Sequence, residues 1–274
     1  MSTQGENPFA ERPSTKVPTA GHDEKPRRLQ YLAAYQYVFD HPRWYLILLI
    51  GTVARFVPIV GPIVLMGYLF GVVEALHRRP RESYPDFDFN LLGNYLKRGV
   101  WPFLVALILM VVAAPIAGIL FYVPIIGMFV LVVGDAGQDG SDELVPLVML
   151  LGCGLCMLGM FVFFILVTLI SLPSILRAGL QQEFGPAFDF SYIKSFLKLM
   201  WQDIILQSLF MMVTSVALMI VGGAMCCVGV YPAMVLWMMA AYHFYYQLYE
   251  LYLARGGMPI PLKPEPAETP PVRA

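Results

Sequence analysis

Long apolar runs alternate with short polar segments along this chain. A membrane-spanning helix needs about 20 consecutive, mostly apolar residues. Runs that reach or approach this length cover 44–76, 100–134, 144–176, 204–221 and 226–253. The pattern therefore predicts an all-α fold, a polytopic membrane helical bundle.

The first run is too long for one helix. Its 33 residues correspond to about 50 Å of helix, whereas two full crossings need about 60 Å. Because prolines interrupt the run, we expect two short helices that turn at 57–62, the segment Val-Pro-Ile-Val-Gly-Pro.

Charged residues determine how the second run is interpreted. Lys and Arg collect on the cytoplasmic side of short loops. The segments 77–98 and 171–202 are basic, whereas 135–143 holds four acidic residues and no base. A single crossing within 100–134, extended at the outer face, leaves 17 of the 18 Lys and Arg residues inside, all except Arg55.

This interpretation predicts about six transmembrane helices within a membrane domain at 29–255. The spans are expected near 44–57, 62–77, 101–121, 146–170, 204–222 and 226–252. Residues 1–28 are polar and are expected to form a disordered tail, while the proline-rich residues 256–274 are expected to be solvated and extended. Both termini are predicted to be cytoplasmic.

Two segments match at an offset of 101 residues. Residues 85–90, Pro-Asp-Phe-Asp-Phe-Asn, correspond to 186–191, and a fainter copy begins at Leu29. We expect a unit of one amphipathic helix plus two membrane helices, used three times. The turn sequence at 57–61 also recurs at 123–127. Repeats are frequent in transporters, but duplication for structural reasons is equally economical.

The amphipathic segments carry basic residues on one flank. Such a helix lies in the headgroup plane of an anionic leaflet, and a linker helix packed under the bundle is the alternative. Anionic lipid headgroups are therefore expected to contact Lys97, Arg98, Lys194 and Lys198. The net charge of -1 gives no reason to expect a nucleic-acid partner.

Two acidic residues, Asp88 and Asp189, occupy equivalent positions in the repeat. An aspartate at a helix N-cap accepts hydrogen bonds from the free amides of the first turn, so we expect structural caps. The alternative is a paired cation or proton site on the cytoplasmic face.

Arg55 is a candidate functional residue because a lone arginine within an apolar span is costly. Snorkelling to outer headgroups, or pairing with the acidic loop, is the structural alternative. The remaining charges near the spans are expected at the inner interface: Asp203 at a helix start, Glu74 near Arg78, and Glu250 near Arg255.

Small residues four positions apart indicate close helix packing, within the bundle or between the protomers of a homo-oligomer. They are Gly67 with Gly71, and Ala114 with Gly118.

Four cysteines occur, Cys153 and Cys156 on one helix and Cys226 and Cys227 on another. They are expected to be packing residues, with a disulfide between the two pairs as the alternative. No metal site or cofactor is expected, since zinc needs four ligands in closed geometry.

Four segments carry recognisable motifs: 37–44, 57–62, Gly67-Tyr68 and 84–89. They resemble an uncharacterised prokaryotic family of multi-pass membrane proteins, domain of unknown function 4013, and the resemblance covers roughly 28–255. It implies a bacterial or archaeal plasma membrane and no known activity.

Composition agrees with a membrane protein, since 58% of the residues are hydrophobic and only 14% are charged. A soluble domain carries roughly 25% charged residues. Nucleophilic triads, metal-protease motifs and phosphate-binding loops are absent from the sequence. We therefore expect a non-enzymatic membrane-organising or scaffold protein. A transporter of small solutes or lipids is the alternative, and a membrane enzyme comes third.

Overall fold

The computed structural model of the protein describes residues 28–79, 84–135, 144–225 and 228–263. The predicted N-terminal tail, the acidic loop, Cys226, Cys227 and the last eleven residues therefore lie outside the described residues.

The described residues form seven α-helices. They are α1 (Ala33–Phe39), α2 (Trp44–Arg55), α3 (Val60–Arg78), α4 (Leu92–Asp135), α5 (Leu144–Gln181), α6 (Phe190–Ala224) and α7 (Val230–Ala254). Two 3₁₀ turns, Phe89–Leu91 and Gly185–Phe188, precede α4 and α6. This part of the chain contains no strand, and the predicted all-α fold is confirmed.

Four helices in the described ranges are long and apolar enough to cross a membrane. They cover Val60–Arg78, Phe89–Val130, Met149–Gln181 and Phe190–Ala224. The sequence predicts six spans. The 12 residues of α2 extend only about 18 Å, and α7 carries the polar His243, Gln247 and Glu250 in its second half. The chain is thus an integral membrane protein with at least these four apolar helices.

Helices α3 and α7 form the centre of the bundle. Most residues of α3 are buried, and α7 contacts α1, α2, α3 and α6. Aromatic side chains fill the space between them, and Phe70 of α3 meets the ring of Tyr242 at 5.0 Å between centroids. The largest fully buried side chains include Tyr68, Phe70, Phe196, Tyr249 and Tyr252.

Glycines bring α3 and α4 into backbone contact. A Cβ added to Gly67 would lie 1.8 Å from the carbonyl oxygen of Tyr95, and one added to Gly99 would lie 1.9 Å from that of Ile63. A Cβ on Gly71 would meet the Arg98 guanidinium at 3.1 Å. Gly67 and Gly71 therefore pack against α4 within the bundle, which was one of the two arrangements expected for this pair.

Helices α4 and α5 form a hairpin that extends well beyond the bundle core. Their 44 and 38 residues correspond to about 66 Å and 57 Å, and their most apolar stretches are only 6% buried. Ala114 is exposed and Gly118 has only its own helix nearby. The outward side chains are apolar, as lipid requires of a membrane surface, and include Met110, Val111, Ile119, Phe129, Leu150, Leu155 and Met157.

The repeated segments differ from the predicted separate amphipathic helices. The residues that follow Asp88 and Asp189 are the first turns of α4 and α6 and continue without a break into the apolar part. The repeated turn sequence at 123–127 likewise stays inside α4, with Pro124 within the helix. A continuous helix is favoured because backbone groups in lipid must find their hydrogen bonds within the segment.

Candidate functional site

Ionic side chains gather at one end of the bundle, here called the charged end, which comprises Glu74, His77, Arg78, Arg98, Arg177, Asp189, Asp203, Glu250 and Arg255. Glu74 is its centre. The Glu74 carboxylate pairs with Arg78 one turn away on α3 at 2.7 Å, and with Arg98 at the start of α4. Two guanidiniums on one largely buried carboxylate tie α3 to α4 at this end.

Glu250 of α7, only 3% exposed, pairs with His77 of α3. A buried carboxylate is tolerated only with such partners. The sequence places Arg255 near Glu250, but the structure pairs Arg255 with Asp203 of α6 and with the carbonyl of Leu199 at 2.7 Å. Asp203 lies within α6 rather than at its start, so the predicted position at a helix start is wrong.

Arg177 near the end of α5 joins Asp189 across the short connection to α6. The guanidinium lies 2.8 Å from the Asp189 carboxylate and 4.7 Å from the ring centroid of Tyr192. The hydrogen bond from Arg177 is the main reason that the pKa of Asp189 is lowered, and the amides of Ser191 and Tyr192 add to it.

The two repeated aspartates stand at the starts of their helices. Asp88 Oδ1 accepts the amide of Asn90 at 2.8 Å, and Asp189 Oδ1 accepts the amide of Ser191 at 2.9 Å. Asp189 also binds the Arg177 guanidinium, whereas Asp88 contacts no guanidinium within the described residues. In the described residues no group of three or more acidic, histidine or cysteine side chains could hold a metal ion.

The chain beyond α7 folds back over the charged end instead of remaining solvated. Ile260 is buried and its amide donates to the Tyr249 hydroxyl at 2.8 Å. Arg78 donates to the carbonyl of Lys263 at 2.7 Å, and the Lys263 ammonium donates to the carbonyl of Gln182. Within the tail that was predicted to be solvated and extended, Ile260 is therefore buried, whereas Met258, Pro259 and Pro261 are exposed.

A second polar cluster lies in the aromatic core. His243 stacks on Tyr37 at 4.2 Å between centroids and contacts Gln247 at 3.0 Å. Gln247 in turn exchanges hydrogen bonds with the backbone of Gln30. Sequence reasoning missed this cluster, although the i, i+4 spacing of His243 and Gln247 on one helix face is a usable signal.

Arg55 lies in the last turn of α2, away from the charged end. Its Nη2 reaches the sulfur of Met238 at 3.5 Å, and its Nε is buried without a hydrogen-bond partner among the described residues. The sequence identifies Arg55 as a candidate functional residue. In the described residues its guanidinium contacts Met238 and pairs with no acidic side chain.

The four residues expected to contact lipid fall into two groups. Arg98 is engaged by Glu74 and is therefore part of the charged end. Lys97, Lys194 and Lys198 are exposed, and within the described residues they form no ion pair or hydrogen bond. Lys194 and Lys198 border a groove on α6.

Cys153 and Cys156 are free thiols. Cys153 approaches the sulfur of Met128 at 3.9 Å, and Cys156 donates to the carbonyl of Leu120 at 3.7 Å. A bond to Cys226 or Cys227 involves residues outside the described ranges.

The comparisons with known proteins identify a family but no activity. The family described as Protein of unknown function (DUF4013) matches residues 50–227, a narrower range than the sequence resemblance covers. No curated protein and no solved structure matches the chain. Since the match spans well over half of the 274 residues, the chain belongs to this family of proteins of unknown function.

Proposed function

We propose that this protein is a non-enzymatic membrane scaffold, which presents a fixed helical surface to lipid and to partner proteins. The observation that carries the proposal is the filled interior. Fully buried Tyr68, Phe70 and Tyr252 occupy the space between the central helices, and α3 touches α4 backbone to backbone at Gly67. A bundle packed in this way favours a rigid platform over a solute path.

The charged end supports the same proposal. Its carboxylates and guanidiniums are paired with one another across α3, α4, α6 and α7. Paired groups lock the helices together and leave little free charge for proton transfer or catalysis. A non-enzymatic role accords with this arrangement.

The proposal includes the membrane arrangement. In it, the six helices from α2 to α7 are crossings or partial crossings of a prokaryotic plasma membrane. They are built from three repeats, and both termini are cytoplasmic. The basic segments 77–98 and 171–202 support a cytoplasmic charged end. Lys263, near the C-terminal end of the described chain, contacts that end through Arg78, and Gln30, near the N-terminal end, contacts Gln247, which lies one turn before Glu250 on α7.

The test is water access to the core. Single cysteines at Leu69 and Val73 on α3, introduced into a cysteine-free protein, should resist a membrane-impermeant maleimide from both sides of the membrane. A cysteine at Glu183 should react once the membrane is permeabilised. Rapid labelling of either core position in the folded protein would overturn the scaffold proposal.

Transport of a small solute or lipid is the second candidate, favoured by the buried, unpartnered Nε of Arg55. The same labelling separates it from the scaffold. A path along α2 and α7 requires a cysteine at Met238, beside Arg55, to react with a water-soluble reagent, whereas the scaffold requires that position to stay unreactive.

A further inference from the structure

Arginine and lysine are used differently at the charged end. Arg78, Arg98, Arg177 and Arg255 each pair with a carboxylate of the bundle. The exposed lysines of α6 do not, since within the described residues neither Lys194 nor Lys198 has an acidic partner. Two uncompensated positive charges therefore stand one helical turn apart on the same face of α6.

These two lysines border a shallow, wide-open apolar groove of about 570 Å³ on one face of the first three turns of α6. Phe190 is 82% exposed and Trp201 is 50% exposed at its two ends. Its lining is Phe190, Ile193, Lys194, Leu197, Lys198 and Trp201. An apolar floor with ammonium groups at the edge matches a ligand that has a hydrocarbon chain and an anionic head.

The groove is continuous with the surface that faces lipid. Below Trp201, α6 continues to Ala224, a further 23 residues or about 34 Å, which is close to the thickness of a hydrocarbon core. Its outward residues Val213, Val216 and Ile220 are exposed and apolar. Because tryptophan concentrates at the membrane interface, Trp201 marks the boundary, and both lysines lie at headgroup level.

We propose that this groove binds one anionic glycerophospholipid. Lys194 and Lys198 hold the phosphate, and the acyl chains lie along Leu197 and Trp201 toward the span. The proposal deepens the scaffold function and rests on it, since it names the lipid class that the platform would hold. A second copy of this chain bound through the same face would bring its own Lys194 and Lys198 close to these two lysines. The repulsion between the like charges disfavours that contact.

The experiment uses the full chain with Trp201 as its only tryptophan, obtained through Trp44→Phe, Trp101→Phe and Trp237→Phe. Brominated acyl chains quench tryptophan on contact. One bilayer contains brominated phosphatidylglycerol in unlabelled phosphatidylcholine, and the other contains brominated phosphatidylcholine in unlabelled phosphatidylglycerol. The brominated phosphatidylglycerol should associate with Trp201 about tenfold more strongly than the brominated phosphatidylcholine does.

The double substitution Lys194→Gln with Lys198→Gln should bring this preference close to one. Lys97→Gln is the matched control, because Lys97 is an equally exposed, unpaired lysine at the corresponding position of α4. It should leave the preference at Trp201 unchanged. Equal quenching by both lipids in the parent protein, or an equal loss in the control, would overturn the site.

If the single-tryptophan protein does not fold, native mass spectrometry of the unmodified protein and the double variant decides the question. Retained phosphatidylglycerol should fall several-fold in the double variant. Unchanged retention overturns the lipid site, while the scaffold proposal is judged separately by the labelling of Leu69 and Val73.

Discussion

At the scale of single residues, glycine determines how closely two helices approach. Gly67 allows α3 to lie against the carbonyl of Tyr95, whereas Gly127 of α4 has no atom near the position that its Cβ would take. Both occupy helix interiors, so they share a similar intrinsic helix propensity and differ in their surroundings.

Gly67→Ala should therefore lower the melting temperature, because overpacking costs about 1–3 kcal/mol when the backbone must move. Gly127→Ala is the matched control and should leave it unchanged or raise it, since alanine is the better helix former. Thermal unfolding in detergent, followed by circular dichroism, measures both. Equal melting temperatures for the two variants would mean that α3 and α4 do not meet at Gly67.

The two aspartate caps differ because Arg177 pairs with Asp189 but not with Asp88 in the described residues. Asp88→Asn should leave the stability of the folded protein almost unchanged, because asparagine caps a helix as well as aspartate does. Asp88→Ala should lower that stability by about 1 kcal/mol. If Asp88→Asn is as harmful as Asp88→Ala, the charge of Asp88 matters and capping does not explain it.

Asp189 should in addition give a pH dependence. Its pKa is lowered in the folded protein, so its stabilisation is present above the pKa of the unfolded chain and is lost as the pH falls through the folded-state value. Asp189→Asn should flatten this part of the acid unfolding curve, and Arg177→Gln should do the same. Melting curves recorded between pH 7 and pH 3 test this, and an unchanged acid transition in both variants would contradict it.

At the scale of elements, one of the three prolines inside α4, Pro124, explains the position of a cysteine on α5. Pro124 has no amide hydrogen, so the carbonyl of Leu120, four residues earlier, lacks its normal helical partner. The thiol of Cys156 donates to that carbonyl at 3.7 Å. Helix α5 thus supplies the hydrogen-bond donor for the Leu120 carbonyl that Pro124 cannot supply within α4.

Cys156→Ser should keep the hairpin stable because the hydroxyl can replace the thiol, whereas Cys156→Ala should destabilise it by about 1 kcal/mol. Cys153→Ala is the control, since Cys153 contacts only the sulfur of Met128. In a Pro124→Ala background, the cost of Cys156→Ala should disappear. A cost that persists there would show that Cys156 acts through packing alone.

At the scale of the whole molecule, the ion pairs bring the ends of α3, α5 and α7 together with the starts of α4 and α6. Successive long helices therefore run in opposite directions, and the connection 182–189 between α5 and α6 lies at the charged end. The sequence segments 77–98 and 171–202, which include Arg98 and Arg177 of this end, are basic, and this favours a cytoplasmic position.

A cysteine at Glu183, in a cysteine-free background, should stay unlabelled by an impermeant maleimide added to intact cells. A cysteine at Gln138, which lies outside the described residues, should react. The reagent should reach Glu183 after permeabilisation, which serves as the control. Labelling of Glu183 in intact cells would contradict the proposed orientation.

The sequence by itself determined the class of molecule. Apolar runs such as 100–134 can be satisfied only as helices in lipid, and Asp88 and Asp189 are identifiable as caps because capping depends on local backbone geometry. These features depend on residues near one another in the chain. The charge pattern favoured one crossing within 100–134, but the helical course of α4 through Pro124 did not follow from it, since 123–127 repeats the turn sequence of 57–61.

Only the tertiary structure decided which charges pair. Glu74 lies 24 residues from Arg98, and His77 lies 173 residues from Glu250, and neither distance along the chain predicts a contact. The difference between Arg98, which is paired, and Lys194, which is not, likewise depends on helix packing. The sequence predicted that Lys194 and Lys198 contact anionic headgroups, but not the apolar groove between them, because the face of α6 that stays exposed depends on which neighbouring helices cover the other faces.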